Sequence, residues 1–84
     1  MMNGGNRITL LGIIVENPES AEELNRLLHD YADHIVWRMG IPYRSRGVAI
    51  ISVVLDAPQD VASALSGKLG MLPGVSVKAV YSKK

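Results

Sequence analysis

Two groups of side chains in this sequence have the types that chemistry needs. His29, Asp30, Asp33 and His34 bring two imidazoles and two carboxylates into one short stretch, and Arg38, Tyr43, Arg44 and Arg46 bring three guanidiniums and a phenol around Gly40, Pro42 and Gly47. The first group has metal-ligand chemistry but not metal-ligand spacing. No two histidines stand at i, i+4, no His-x-Glu cluster is present, and with no cysteine in the chain no thiolate can complete a set. Each histidine therefore reads as an ordinary one, and neither a metal nor any other cofactor is expected.

The second group is better suited to an anion. An arginine offers a planar fork that matches a carboxylate or phosphate, and Tyr43 adds a hydroxyl and a face for stacking. The competing reading is a solvated basic turn that protects an edge strand. Arg38 stands apart from the loop, because strand alternation places it, with Gly40, on the side of the sheet that no helix covers. A charge covered there by another subunit would need a partner. Arg38, Gly40, Tyr43, Arg44 and Arg46 are thus the candidate site for a small or anionic effector.

Other chemistry is excluded by context. Ser20, Ser45, Ser52, Ser63 and Ser66 lack the sharp strand-to-helix setting of a nucleophile, so no catalytic residue is assigned. Ser66-Gly67-Lys68-Leu69-Gly70 contains a Gly-Lys pair, but it falls late in a helix and no phosphate-cradling loop precedes it. Nine basic against eight acidic residues leave a net charge of +1, too little to drive binding along a phosphate backbone. Direct nucleic-acid binding is not expected.

The elements that position these groups follow from periodicity. Arg7 to Glu16 is apolar at both parities, as in a central strand. Asn17-Pro18-Glu19 starts a helix, with Asn17 as cap, and Leu24, Leu27, Leu28 and Tyr31 form its apolar stripe. Ile35, Trp37, Met39 and Ile41 alternate with His34, Val36, Arg38 and Gly40 in a second strand that Pro42 ends or marks as an edge. Val48 to Leu55 reads as another central strand. Asp56-Ala57-Pro58 opens a second helix with Val61, Leu65, Leu69 and Leu72 buried, Ala62 and Ala64 allowing close approach, and Gly70 as its stop. Leu72-Pro73-Gly74 is a turn into a last strand, Val75 to Tyr81.

The order β-α-β-β-α-β defines an α+β ferredoxin-like sandwich with an antiparallel sheet in the order 4-1-3-2 and two helices on one face. One domain spans 1–84, with 1–6 and 83–84 flexible at its ends. A chain of 84 residues, 48% hydrophobic and 20% charged, can bury roughly 60 to 65% of its unfolded surface in such a core. No secretory signal is indicated and the longest apolar run is short of the ~20 residues of a membrane helix, so a cytoplasmic protein without membrane contact is expected.

Right-handed crossovers place both helices on the same side, so the other side stays open. Leu11, Ile13, Val15, Ile51, Val53 and Leu55 are the bulkier parity and are assigned beneath the helices, with the swapped parity as the open alternative; either way the central strands expose an apolar patch. Ile8, Leu10, Gly12, Ile14, Ile50, Ser52 and Val54 then lie on the open face, where so large an apolar patch predicts a homodimer or homotetramer through the sheet. Without aromatic rings on the central strands, an RNA-recognition sheet is not expected.

The chain also resembles a known family through Gly12-Ile13-Ile14-Val15-Glu16, Leu27-Leu28-His29-Asp30-Tyr31, Ile35-Val36, Arg38-Met39-Gly40-Ile41-Pro42-Tyr43, Ser63 to Gly70 and Leu72-Pro73-Gly74-Val75-Ser76-Val77-Lys78. These segments cover nearly all of residues 7 to 82. They resemble the small ACT-like proteins called iron-only hydrogenase system regulators, and that domain is similar to the C-terminal regulatory domain of nickel-responsive repressors. The resemblance implies a non-enzymatic, ligand-binding regulatory module that works as a homo-oligomer with a small effector or a protein partner. It implies no catalytic residues. The sequence carries neither a DNA-binding segment nor the cysteine and His-x-His arrangement of the nickel-binding relatives, so repression of a promoter by this polypeptide alone is not expected. The rival reading is a small dimeric enzyme of the same fold with a pocket around His34, Arg38 and Tyr43.

Overall fold

The computed structural model describes residues 5–83. The flexibility expected of residues 1–4 and of Lys84 lies outside that range, whereas Asn6 is already the first residue of a strand. In chain order the elements are β1 (Asn6–Val15), α1 (Ala21–Asp30), β2 (Ile35–Tyr43), β3 (Val48–Pro58), α2 (Gln59–Gly70) and β4 (Val75–Tyr81), with short 3-10 turns at Pro18–Ser20 and Ala32–His34. The sheet is antiparallel in the order β2-β3-β1-β4, as the sequence predicts.

The core forms on the helix side of the two central strands. Leu11, Ile13 and Val15 of β1 and Ile51, Val53 and Leu55 of β3 are buried against Leu24 and Leu28 of α1 and Ala62, Leu65 and Leu69 of α2. The expected sheet parity is therefore the one adopted. Along α2 the buried positions run Ala62, Leu65, Leu69, so Val61 is only half-buried and Ala64, expected to permit close approach, faces solvent.

One boundary differs from the sequence reading. Asp56-Ala57-Pro58 continues β3 instead of opening a helix, because Asn6 and Arg7 extend β1 and give Pro58 and Ala57 strand partners. Ala57 is fully buried, and Pro58 stands at the last pair of the ladder, where a missing N–H costs least. The helix starts at Gln59, and in its first turn the Asp60 carboxylate accepts from the Val61 N–H at 3.0 Å.

The turn before β4 is fastened to the β1–α1 connection. The Glu16 N–H donates to the Gly74 carbonyl at 2.7 Å and the Ser20 hydroxyl donates to the Pro73 carbonyl at 2.6 Å. The Asn17 side chain caps the first turn, accepting from the Glu19 N–H at 3.0 Å. Gly74 has φ +70°, and a Cβ built on it would sit 2.6 Å from the Asn17 Cβ and 2.9 Å from its backbone nitrogen. Only glycine satisfies both the backbone and the space.

Gly47, in the β2–β3 turn, has a similar φ of +67° but open space around it. The two positions separate strain from collision. Gly74→Ala is expected to lose about 3 kcal/mol in urea unfolding, the sum of left-handed strain and overpacking, and Gly47→Ala about 1 kcal/mol. Equal losses at the two sites would contradict the close approach at Asn17.

Candidate functional site

The candidate residues are positioned by an irregularity in the edge strand. Ile35 pairs with Leu55, but Trp37 pairs with Val54, so two residues of β2 are set against one of β3 and a bulge falls between Ile35 and Trp37. Directly paired residues share a face of a sheet. Ile35 therefore lies with Leu55 on the helix side, while Trp37, Met39, Ile41 and Tyr43 lie with Val54, Ser52, Ile50 and Val48 on the open side.

This corrects the placement of Arg38 and Gly40. They pair with Val53 and Ile51, both on the helix side, and a Cβ on Gly40 would touch Ile51 at 3.6 Å. The bulge inserts one extra residue and so reverses the parity that unbroken alternation from Ile35 would give. Arg38 reaches α1, where its Nη2 donates to Asn25 Oδ1 at 3.0 Å. There it lines a cleft of about 350 Å³ with Asn25, Leu28, His29, Ala32 and Ile35.

The remaining candidates separate. Tyr43 and Arg46 line a cleft of about 300 Å³ on the open face with Ile14, Glu16, Val48 and Ile50. Arg44 lines another of about 370 Å³, mostly apolar, with Val15, Pro18, Ala21 and Gly47. Four of the five residues thus line three different clefts on two sides of the sheet, and Gly40 lines none of them. The pocket required by the rival enzyme reading is not assembled either: Arg38 and Tyr43 line different clefts on opposite faces, and His34 lines neither. Among the described residues no three His, Asp or Glu side chains come together as metal ligands.

The open face of the sheet carries most of the large apolar side chains that stay exposed. Ile8, Leu10 and Ile14 of β1, Trp37, Met39, Ile41 and Tyr43 of β2, Ile50 of β3 and Val80 of β4 are each between 42% and 63% exposed. A groove of about 340 Å³ crosses its centre where Gly12, Ser52, Ser76 and Lys78 interrupt the larger side chains. Four strands about 4.8 Å apart and roughly 30 Å long make a face of roughly 600 Å² in projection. That approaches the ~800 Å² that each partner of a stable complex covers.

Sequence reasoning missed two features. Trp37 and Tyr43 were not seen to extend the open face, although their alternation with Met39 and Ile41 already marked one apolar side of β2. Asn25 and His29 were not joined to Arg38, although 25, 28, 29 and 32 fall at i, i+3, i+4 and i+7 on one face of a helix.

The Gly-Lys segment has a structural role. Lys68 donates to the Tyr31 hydroxyl at 3.0 Å, with its ammonium 5.3 Å from the centre of the ring, and so ties α2 to the end of α1.

Fold and surface together define a class: a ferredoxin-like α+β domain with one helix-covered face and one open, mainly apolar face. The comparisons narrow this. Residues 7–79 match the TM1266-like family, provisionally described as iron-only hydrogenase system regulators. The chain belongs to that family. It is 40% identical to an uncharacterized protein, TM1266 from Thermotoga maritima, with a TM-score of 0.89, covering 93% of this chain and 99% of the other. No curated protein gives a significant match.

More distant structures share the fold alone. The C-terminal domain of the MgtC protein from Mycobacterium tuberculosis superposes with a TM-score of 0.73 at 12% identity over 99% of this chain and 95% of that one. A formyltetrahydrofolate deformylase from Pseudomonas putida KT2440 gives 0.63 at 13% identity over 87% of this chain and 28% of its own. Among the described residues no helix is long and apolar enough to cross a membrane.

The Lys68 to Tyr31 contact has a pH signature. The Tyr31 hydrogen bond, then its charge when ionised and that of Asp30, hold the Lys68 pKa above its ordinary 10.5 against a smaller opposing effect of burial. A raised pKa means stability that is complete below the unfolded lysine's value and is lost as pH rises through the folded one. In an NMR titration Lys68 should release its proton at higher pH in the unaltered protein than in Tyr31→Phe. Coincident Lys68 titration curves in the two proteins would contradict the contact.

Proposed function

We propose that this chain is a non-enzymatic regulatory module of an iron-only hydrogenase system, working in the cytoplasm as a homo-oligomer joined through the open faces of its sheets. Family membership supports the regulatory part. The observation that carries the assembly is the broad apolar surface that β1, β2 and β3 present on the open side, since patches beyond several hundred Å² are unusual on soluble monomers.

A second copy is the occupant that fits best. The face is mainly apolar, with Lys78 at its central groove, Asp56 in the β3 register and Glu16 and Arg46 at a neighbouring cleft as its charged positions. A twofold axis through the central groove would set the low ground at Gly12 and Ser52 against large side chains such as Leu10 and Ile14 of the other copy. Self-complementarity of that kind is what a symmetric interface requires. A regulator built this way transmits its state through the arrangement of its subunits, with no reacting group needed.

Light scattering at micromolar concentration should give a multiple of the 9.1 kDa chain mass. Ile50→Lys, at the middle of the face, should yield a folded particle near that single-chain mass. Since Ile50 is already 44% exposed in one chain, its loss should cost the fold little. An unaltered protein that runs at 9.1 kDa would overturn the assembly, and an oligomer unaffected by Ile50→Lys would place the contact elsewhere.

A further inference from the structure

We propose that the cleft between α1 and β2 binds a short aliphatic carboxylate, with Arg38 gripping the carboxylate and the hydrocarbon tail lying on Leu28, Ala32 and Ile35. This names the effector class for the regulatory reading and rests on that reading for its purpose, though the binding itself does not require the oligomer. Four observations converge on it.

The first is an arginine without a counter-ion. Among the described residues Arg38 has no carboxylate partner, and its hydrogen bond goes to the neutral side-chain oxygen of Asn25 at 3.0 Å. A guanidinium has five N–H donors, so four remain after that bond, enough for a bidentate grip. The second is that Asn25 fixes the direction of the fork. An arginine already held in one orientation loses less freedom when a ligand arrives than one free in solvent.

The third is the composition of the walls. No acidic residue lines the cleft; one side is polar, with Asn25, His29 and Arg38, and the other is apolar, with Ala32 and Ile35 over the buried Leu28. At about 350 Å³ it is near the lower end of ligand-site volumes, the size for a small molecule with one charged end. A fully polar dianion such as phosphate would find one fork and a hydrocarbon floor, so a monocarboxylate with a tail is favoured.

The fourth is polarity along the helix. Asn25 sits mid-helix, while His29 is in the last turn of α1 and Ala32 lies just past its end. The negative end of the helix dipole is there. The carboxylate is therefore directed to the Asn25 and Arg38 end, and the tail toward Ala32, with His29 at the rim as an additional N–H donor.

The test uses the full chain, isovalerate as probe, and NMR shifts of the Arg38 Nε–H and of the amides from Asn25 to Ile35. Acetate keeps the charge without the tail and isoamyl alcohol keeps the tail without the charge. Isovalerate should bind about tenfold or more tightly than either, and more tightly than inorganic phosphate. Arg38→Gln should weaken it about tenfold or more, and Asn25→Asp should do the same by supplying Arg38 with a resident carboxylate. Lys83→Gln, past the end of β4, should leave isovalerate binding unchanged.

Absence of isovalerate binding, binding unchanged in both Arg38→Gln and Asn25→Asp, or phosphate binding at least as tightly would each overturn the proposal. The same spectra show that each variant is folded. Light scattering on the same samples keeps the readings apart: an intact oligomer that ignores isovalerate sinks only the cleft, and a monomer that binds it sinks only the assembly.

Discussion

The bulge between Ile35 and Trp37 decides how this small domain divides its labour. A strand side chain changes face with every residue, so one extra residue in an edge strand exchanges everything beyond it. Upstream of the bulge Ile35 joins the helix side of the sheet. Downstream, Trp37, Met39, Ile41 and Tyr43 are moved to the open face and Arg38 is delivered to α1. Without it, an arginine would stand in the middle of an apolar surface and the bulkiest side chains of β2 would crowd beneath the helix.

The rest of the fold gives this edge something rigid to stand on. Leu11, Val53, Leu55, Leu65 and Leu69 make a core with almost no exposed surface, and the Gly74 turn closes against Asn17 where no side chain would fit. α1 is anchored in that core by Leu24 and Leu28. The edge strand β2, by contrast, has no fully buried residue, is joined to α1 by an exposed hydrogen bond from Arg38 to Asn25 and borders a cleft. A regulatory domain is well served by that asymmetry, because the elements drawn into binding are those with fewer buried contacts.

Much of this was legible in the sequence, and the failures have one kind of cause. Strand order, helix identity and the parity of the central strands follow from side-chain period and size: Leu11, Ile13 and Val15 are larger as a set than Leu10, Gly12 and Ile14. Period says nothing about an inserted residue. Nothing in Ile35-Val36-Trp37 distinguishes a bulge from continued alternation, so Arg38 and Gly40 were assigned to the wrong side. Asp56-Ala57-Pro58 failed similarly, since a proline after an aspartate suits a helix start and also the end of a strand that finds a partner. The partner, Asn6 and Arg7, is some fifty residues away in sequence, and local pattern does not see it. The candidate site suffered more than the fold because it depends on which face a side chain takes.

The central claim is that the open sheet face is covered by a second copy, and Trp37 reports on it directly. It is the one tryptophan of the chain, lies on that face and is 49% exposed in a single subunit. Measured at micromolar concentration, its emission should be that of a buried indole, shielded from acrylamide, and should move to the emission of an exposed indole when Ile50→Lys opens the face. Emission and quenching of a half-exposed tryptophan, the same in the unaltered protein and in Ile50→Lys, would contradict the claim.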